Sequence, residues 1–226
     1  LRSIGDEFVV AEFFPYAFEE PLGGDEINLY RLETPDGKKI TVEGTIDRID
    51  VLDRNGERYV RVVDYKTGAK DFALCDVYYG INIQMLVYLF SIQAGGKGGL
   101  SKTVPSGVLY MPAKNSVLKM ERTDSPEEVF AEQKKGFRMK GLLLDDEAVL
   151  NAMEPGLSGF YIPVKKSKNG PSGSLATLAE FGVIKNHIDS LLVGIAKELS
   201  GGKIAALPYR KNSASPCDFC RYKGIC

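Results

Sequence analysis

Three short segments hold residues whose types and spacing could do chemistry. The first is Gly44-Thr45-Ile46-Asp47-Arg48-Ile49-Asp50. The second is Val62-Val63-Asp64-Tyr65-Lys66-Thr67-Gly68. The third sets Gln84 and Tyr88 four residues apart. Along an extended strand, Val62, Asp64 and Lys66 share one face, and Val63 and Tyr65 share the other. The same parity groups Gly44, Ile46, Arg48 and Asp50 against Thr45, Asp47 and Ile49. If the two strands pair, Asp47 and Asp64 converge. Two carboxylates held close repel, so at neutral pH they need a cation or a proton between them. Mg²⁺ suits such a place because it takes oxygen ligands and keeps several waters. A lysine beside it is a poor Mg²⁺ ligand, but it can orient a water or steady charge on a phosphate. An arbitrary Asp-x-Lys is more often a surface ion pair worth ~0–1 kcal/mol. This one ends an apolar strand, follows an Asp-bearing strand, and precedes a helix with polar groups at i and i+4.

A second group is made of cysteines. Cys217, Cys220 and Cys226 crowd the last ten residues, and Cys75 stands far upstream. This is not the even spread of a secreted disulfide framework. Three soft ligands fit either a zinc knuckle lacking one ligand or part of an iron–sulfur site. Cys75 reads as a small buried residue. The only histidine, His187, reads as a packing or surface residue of a helix. Lys165, Lys166 and Lys168, with Arg210 and Lys211, could follow a DNA backbone or be solvated loop charge.

The elements that must position these groups can be read from periodicity. Glu7–Phe14 and Ile27–Leu32 read as strands, with a turn at Pro35-Asp36-Gly37. Lys39–Val51 and Arg58–Tyr65 read as two strands joined at Asn55-Gly56, a hairpin signal. Val77–Gln93 carries apolar residues at helical spacing, with Asp76 as its cap and Gly95-Gly96 as its end. Thr103–Met111 and Ser116–Arg122 read as further strands. Ser125-Pro126 starts a helix that ends near Lys140 or Gly141, and Asp145–Met153 forms a shorter one. Lys165–Gly173 reads as a polar loop. Leu175–Leu199 is the longest helix, its stripe running from Leu178 through Phe181, Ile184, Ile188, Leu191 and Ile195 to Leu199.

The 226 residues are 44% hydrophobic and 26% charged. That suits one domain or two and excludes a wholly disordered chain. The longest apolar stretches, such as Met85–Phe90, are too short to span a bilayer. The acidic first twenty residues do not resemble a secretory leader. Residues 1–159 carry a net charge of −7 and residues 160–226 a net +6. The total of −1 implies that any nucleic acid is delivered by a partner rather than drawn in by this chain's own field. The chain opens at Leu1, which leads us to expect a fragment of something longer.

Taken in order, Gly44-x-x-Asp47-Arg48-Ile49-Asp50, Asp64-Tyr65-Lys66-Thr67-Gly68 and Gln84-x-x-x-Tyr88 resemble the RecB-like branch of the PD-(D/E)xK nucleases. The resemblance implies an α/β, restriction-endonuclease-like fold, with a mixed β-sheet flanked by helices, and Mg²⁺-dependent hydrolysis of DNA. It would make Asp47 and Asp64 metal ligands together with the backbone carbonyl of Tyr65. Lys66 would be the catalytic lysine, and Gln84 and Tyr88 would position the DNA. Cys217, Cys220 and Cys226 would be three ligands of a 4Fe–4S cluster. The family's fourth cysteine and its upstream metal-binding histidine have no counterpart here. Each centre is therefore expected to lack a ligand, with Glu12, Glu20 and Glu43 as the acids available to substitute at the metal. Residues 1–207 would be the nuclease domain and 208–226 a cysteine clasp. The long insert from Lys114 to Ser174 looks more like the helicase-associated branch than the compact free-standing nucleases of adaptive immunity. That branch implies an ATP-dependent helicase–nuclease that processes double-strand DNA ends in the cytoplasm, with an AddA-like helicase partner and no membrane. Two alternatives stay open: a free-standing nuclease, and a nuclease-like module that grips DNA or a partner without cutting.

Overall fold

A computed structural model of the chain describes residues 2–68, 70–113, 125, 136–211 and 215–225. Helix α1 (Arg2–Val10) leads into β1 (Phe14–Pro21), β2 (Tyr30–Glu33), β3 (Lys39–Val42), β4 (Thr45–Arg54) and β5 (Glu57–Lys66). Then come α2 (Leu74–Tyr78), α3 (Gln84–Gly95), β6 (Val104–Pro112), β7 (Lys140–Leu144) and α4 (Glu147–Met153). The hairpin strands β8 (Val164–Ser167) and β9 (Gly170–Gly173), the short β10 (Leu175–Ala176) and the long α5 (Leu178–Ser200) complete the regular elements before the tail.

The main sheet has six strands in the order β1-β4-β5-β6-β7-β10. It is mixed: β5–β6 and β7–β10 are parallel, and the other pairs are antiparallel. The β4–β5 hairpin closes as expected. Asn55 (φ 54°) and Gly56 (φ 81°) both adopt left-handed backbone, the turn that matches the twist of the flanking strands. A parallel neighbour needs a crossover, and α2 with α3 supply it between β5 and β6. Every residue of α3 from Met85 to Ile92 is buried. The core lies between the sheet and α3, with Phe181 and Ile188 of α5 added to it.

Several expectations are corrected. Glu7–Phe14 is not a strand: α1 runs to Val10 and β1 begins at Phe14. A short apolar run does not distinguish the two periods, and here helical winding is what turns Glu7 inward, 1% exposed. The second strand starts at Tyr30 rather than Ile27, which makes an isolated bridge to Gly96. Lys39–Val51 is split at Glu43-Gly44. β3 pairs with β2 in a separate small sheet, while β4 joins the main one.

The helix expected from Val77 is likewise two helices, broken where Gly80 (φ 76°) and Asn82 (φ 59°) turn left-handed. Asp76 is therefore not its cap; it lies in the first turn of α2 and pairs with Lys211 at 2.6 Å. Lys140–Leu144 is a strand rather than a helix end. Gly141 fits there because a Cβ would meet the Val108 carbonyl at 1.8 Å. The loop at Lys165–Gly173 is a hairpin. The long helix begins at Leu178, where Thr177 and Glu180 form a capping box. Its stripe is buried only in the middle; Leu178, Ile195 and Leu199 are exposed. The strand expected at Ser116–Arg122 and the helix expected from Ser125-Pro126 lie outside the described residues. Among the described residues no helix is long and apolar enough to cross a membrane.

Candidate active site

Two apolar strands carry charged residues to their ends. The β4–β5 ladder stops at the Arg48–Val63 pair. One step further, the Asp47 side chain takes over from the backbone: its Oδ2 accepts the Tyr65 N–H at 3.0 Å. This fixes Asp47 beside Asp64 and leaves the Tyr65 carbonyl at the same strand end. Asp64 is 4% exposed. Its Oδ2 lies 2.6 Å from Lys66 Nζ, yet off the hydrogen-bonding direction, so this buried oxygen accepts no aligned hydrogen bond among the described residues. Burial pushes the Asp64 carboxyl above the usual carboxylate range. Lys66 opposes that shift, and the neighbouring Asp47 charge adds to it.

Around this pair the packing is tight. Tyr110 of β6, in register with Asp64, is 4% exposed. Its hydroxyl is pushed up to about 12 by burial and then by the Asp64 charge. The Lys66 ammonium lies 5.9 Å from the Tyr110 ring centre. Gln84 opens α3 and donates from Nε2 to the Tyr88 hydroxyl at 2.9 Å. Tyr88 in turn occupies the space a side chain at residue 44 would need: a Cβ there would meet its hydroxyl at 2.5 Å. Only glycine lets β4 and α3 approach so closely. The sequence-derived set of Asp47, Asp64 and Lys66 is thus brought together, and Gln84 and Tyr88 form a hydrogen-bonded pair on α3 against Gly44.

The donor chemistry suits a hard divalent cation: two carboxylates, one of them buried, and a carbonyl at the same strand end. Glu12, Glu20 and Glu43 do not complete the set. Among the described residues there is no cluster of three or more His, Cys, Asp or Glu side chains able to hold a metal.

On the opposite face of the same two strands lies an arrangement that sequence reasoning missed. Arg48 and Arg61 are fully buried with Asp50 and Glu7. Arg48 Nη2 contacts Asp50 at 2.8 Å and Glu7 at 3.4 Å; Arg61 contacts Asp50 at 2.8 Å and Glu7 at 2.5 Å. Arg48 Nη1 also donates to the Tyr65 hydroxyl at 3.1 Å. Two positive and two negative charges cancel, and the quartet ties α1 to the sheet. Its only sequence signal is the parity of Arg48 and Asp50.

The cysteines are placed less completely. Cys217 and Cys220 bracket a single turn closed by the Cys220 N–H donating to the Cys217 carbonyl at 3.2 Å; Cys226 lies outside the described residues. Cys75 is exposed, which corrects its reading as a buried residue: it sits in the first turn of α2, and its neighbour Asp76 holds Lys211. A cleft there is lined by Cys75, Asp76, Tyr79, Tyr209, Arg210 and Lys211; it is a seam between α2 and the tail, away from Asp64. His187 stacks on Tyr78 and contacts its carbonyl at 2.9 Å, a packing role as expected. Lys165, Lys166 and Lys168 are exposed on the β8–β9 hairpin and its turn.

Comparison with known proteins agrees with this geometry. The family model described as the PD-(D/E)XK nuclease superfamily matches residues 2–226. A relative in Clostridium acetobutylicum, named as the B subunit of an ATP-dependent helicase/deoxyribonuclease, is 34% identical over 232 residues; the match covers 100% of this chain and 20% of the relative. A protein of the same name in Clostridium novyi is 36% identical over 220 residues, covering 95% of this chain and 19% of the relative. The chain thus spans about a fifth of the length of these relatives. Since that match runs through every strand and helix that carries Asp47, Asp64, Lys66, Gln84 and Tyr88, the chain belongs to the PD-(D/E)XK nuclease superfamily, as a nuclease domain homologous to helicase/deoxyribonuclease B subunits.

Proposed function

We propose that this chain is a Mg²⁺-dependent deoxyribonuclease module that hydrolyses DNA phosphodiesters. The observation that carries the reading is the convergence of Asp47, the buried Asp64 and Lys66 at one strand end, with Lys66 Nζ 2.6 Å from Asp64 Oδ2. Two carboxylates held this close favour a cation between them at neutral pH. Asp47, Asp64 and the Tyr65 carbonyl would hold the ion. When bound, Mg²⁺ supplies Lewis-acid polarisation of the phosphoryl oxygens. Lys66 orients the attacking water or steadies the charge that develops on the phosphate. The water oxygen bonds to phosphorus as the bond from phosphorus to the 3′ oxygen breaks; the water gives up a proton to solvent and the departing 3′ oxygen takes one up, leaving a 5′-phosphate and a 3′-hydroxyl. Gln84 and Tyr88 position the DNA at the start of α3.

By analogy with the names of its relatives, we place the module in an ATP-dependent helicase–nuclease that processes double-strand DNA ends, in the cytoplasm, beside an AddA-like helicase partner. Cys217, Cys220 and Cys226 supply three thiolates of a 4Fe–4S cluster, the fourth ligand coming from outside this chain. Residues 208–226 then act as a clasp on the nuclease domain of residues 1–207.

The test is cleavage of single-stranded DNA by the chain in Mg²⁺, in Mn²⁺ and in chelator, beside Lys66→Ala and Asp64→Asn. Metal-dependent cutting that both substitutions reduce by at least about 10²-fold is expected. Cutting by either variant at the wild-type rate would overturn the assignment. Silence of the unsubstituted chain, persisting when it is embedded in a longer protein, would favour the binding module.

A further inference from the structure

Resting on the nuclease reading above, we infer that the active site continues along the sheet into a second phosphate-binding subsite, formed by Lys70 and Lys140 beside the Tyr110 ring. This subsite would take the backbone phosphate next to the one being cut.

The register places these residues. Asp64 pairs with Tyr110, and Tyr110 pairs with Lys140, across β5, β6 and β7. Directly opposed residues project from the same face of a sheet. Neighbouring strands are about 4.8 Å apart, so Lys140 starts roughly 10 Å from Asp64 along one row of side chains. Lys70 enters the row from the loop after the catalytic strand. Its ammonium lies 5.8 Å from the Tyr110 ring centre, almost as near as the 5.9 Å of Lys66 on the same ring. Two ammonium groups therefore share one buried aromatic platform, and the Lys70 charge acts on the Asp64 carboxylate.

The partners of the two lysines leave room for a phosphate. Lys70 Nζ donates to the Asn82 side-chain oxygen, a neutral acceptor, and makes no ion pair with a carboxylate among the described residues. Asn82 is held left-handed (φ 59°) just before Gln84, so Lys70 is anchored to the turn that opens α3. Lys140 pairs with Asp71, both more than half exposed. An exposed pair of this kind is worth little, so Lys140 can exchange Asp71 for a phosphate at small cost. Lysines are suited to this work as mobile point charges on flexible stems. The basic residues of the β8–β9 hairpin and the tail have no such connection to Asp64.

The experiment measures binding of a short single-stranded oligonucleotide to the full 226-residue chain in metal-free buffer, across a range of salt. Each phosphate contact to a single strand contributes about 0.7 to the slope of log K against log salt. Lys70→Gln with Lys140→Gln should lower the slope by about 1.4, two such contacts. Lys70→Arg with Lys140→Arg should keep it. Lys203→Gln, far along the chain and paired with Glu198, should leave it unchanged. An unchanged slope in the glutamine pair, or an equal fall in Lys203→Gln, would overturn the subsite. Cutting in Mg²⁺ by the same chain is scored separately. A slope that falls while neither this chain nor a longer protein containing it cuts keeps the phosphate subsite and removes the nuclease reading. Lys66-dependent cutting with an unchanged slope does the reverse.

Discussion

The two faces of the β4–β5 hairpin carry charges at interleaved positions, yet they end in opposite states. On one face Glu7, Arg48, Asp50 and Arg61 are sealed from water and sum to zero. On the other, Asp47 and Asp64 meet Lys66 and the charge of Lys70 at an edge open to water. Both faces hold buried polar atoms: Arg48 Nε, Asp50 Oδ1 and Arg61 Nη1 have no hydrogen-bond partner among the described residues on the first, and Asp64 Oδ2 is held by the Lys66 ion pair on the second. What separates them is access to water. A network whose charges answer one another out of water is part of the structure; one with a lysine 34% exposed at its edge can exchange its partners for groups from solution. Access to water thus separates the two sites better than burial of the acids does, since Asp50 and Asp64 are both buried.

The comparison can be broken most sharply on the open face. Lys66→Ala should reduce cutting by about 10²–10³-fold, the usual cost of losing one group that stabilises transition-state charge. Its urea unfolding midpoint should stay near that of the unsubstituted chain. A large stability loss would mean that the two faces do not differ in kind. On the sealed face the pattern should invert. Glu7→Gln leaves two guanidiniums against one carboxylate and should cost about 3–5 kcal/mol of stability, measured by urea unfolding. Cutting should fall only in proportion to the unfolded fraction.

The smallest effect concerns the ion. The Asp64 carboxyl is raised in the fold above its unfolded value of about 3.9. The stability it contributes is therefore full below that value and is lost as pH rises through the raised one. Across that window metal-free protein should lose stability relative to Asp64→Asn, since the lowered carboxyls of Asp36, Asp53, Glu180 and Asp218 act equally in both and cancel in the difference. At neutral pH, Mg²⁺ at ten times its dissociation constant should return about 1.4 kcal/mol to the unsubstituted chain and nothing to the Asn variant. Equal stabilisation of both proteins would place the cation elsewhere.

The open face was legible in the sequence because its determinants are local. Asn55-Gly56 fixes the turn, the turn fixes the register, and parity then brings Asp47 to Asp64. The sealed face was not legible, because Glu7 is remote from its arginines and sits in a run whose apolar pattern fits strand or helix equally well. Charged residues on a strand are ordinarily read as solvated, and nothing near Arg61 signals its burial. The α2–α3 break was hidden for another reason. The apolar spacing continues through it, and only the left-handed backbone at Gly80 and Asn82 interrupts the helix. Lys70 carries no local signal although it lies four residues beyond Lys66. Its relevance comes from Tyr110, a residue of a strand reached only after the crossover.

The distance of Glu7 from its partners also bears on the order of assembly. It precedes Arg48 by 41 positions and Arg61 by 54. A hairpin with a two-residue turn forms in about 1–10 μs, well before contacts of such sequence separation are made. In that interval both guanidiniums have only Asp50 to answer them. Docking of α1 is then expected to complete the charge balance after β4 and β5 have paired. Contacts made after the folding barrier slow unfolding rather than speed folding. Glu7→Gln should therefore raise the unfolding rate more than it lowers the folding rate, as read from the two arms of a urea chevron.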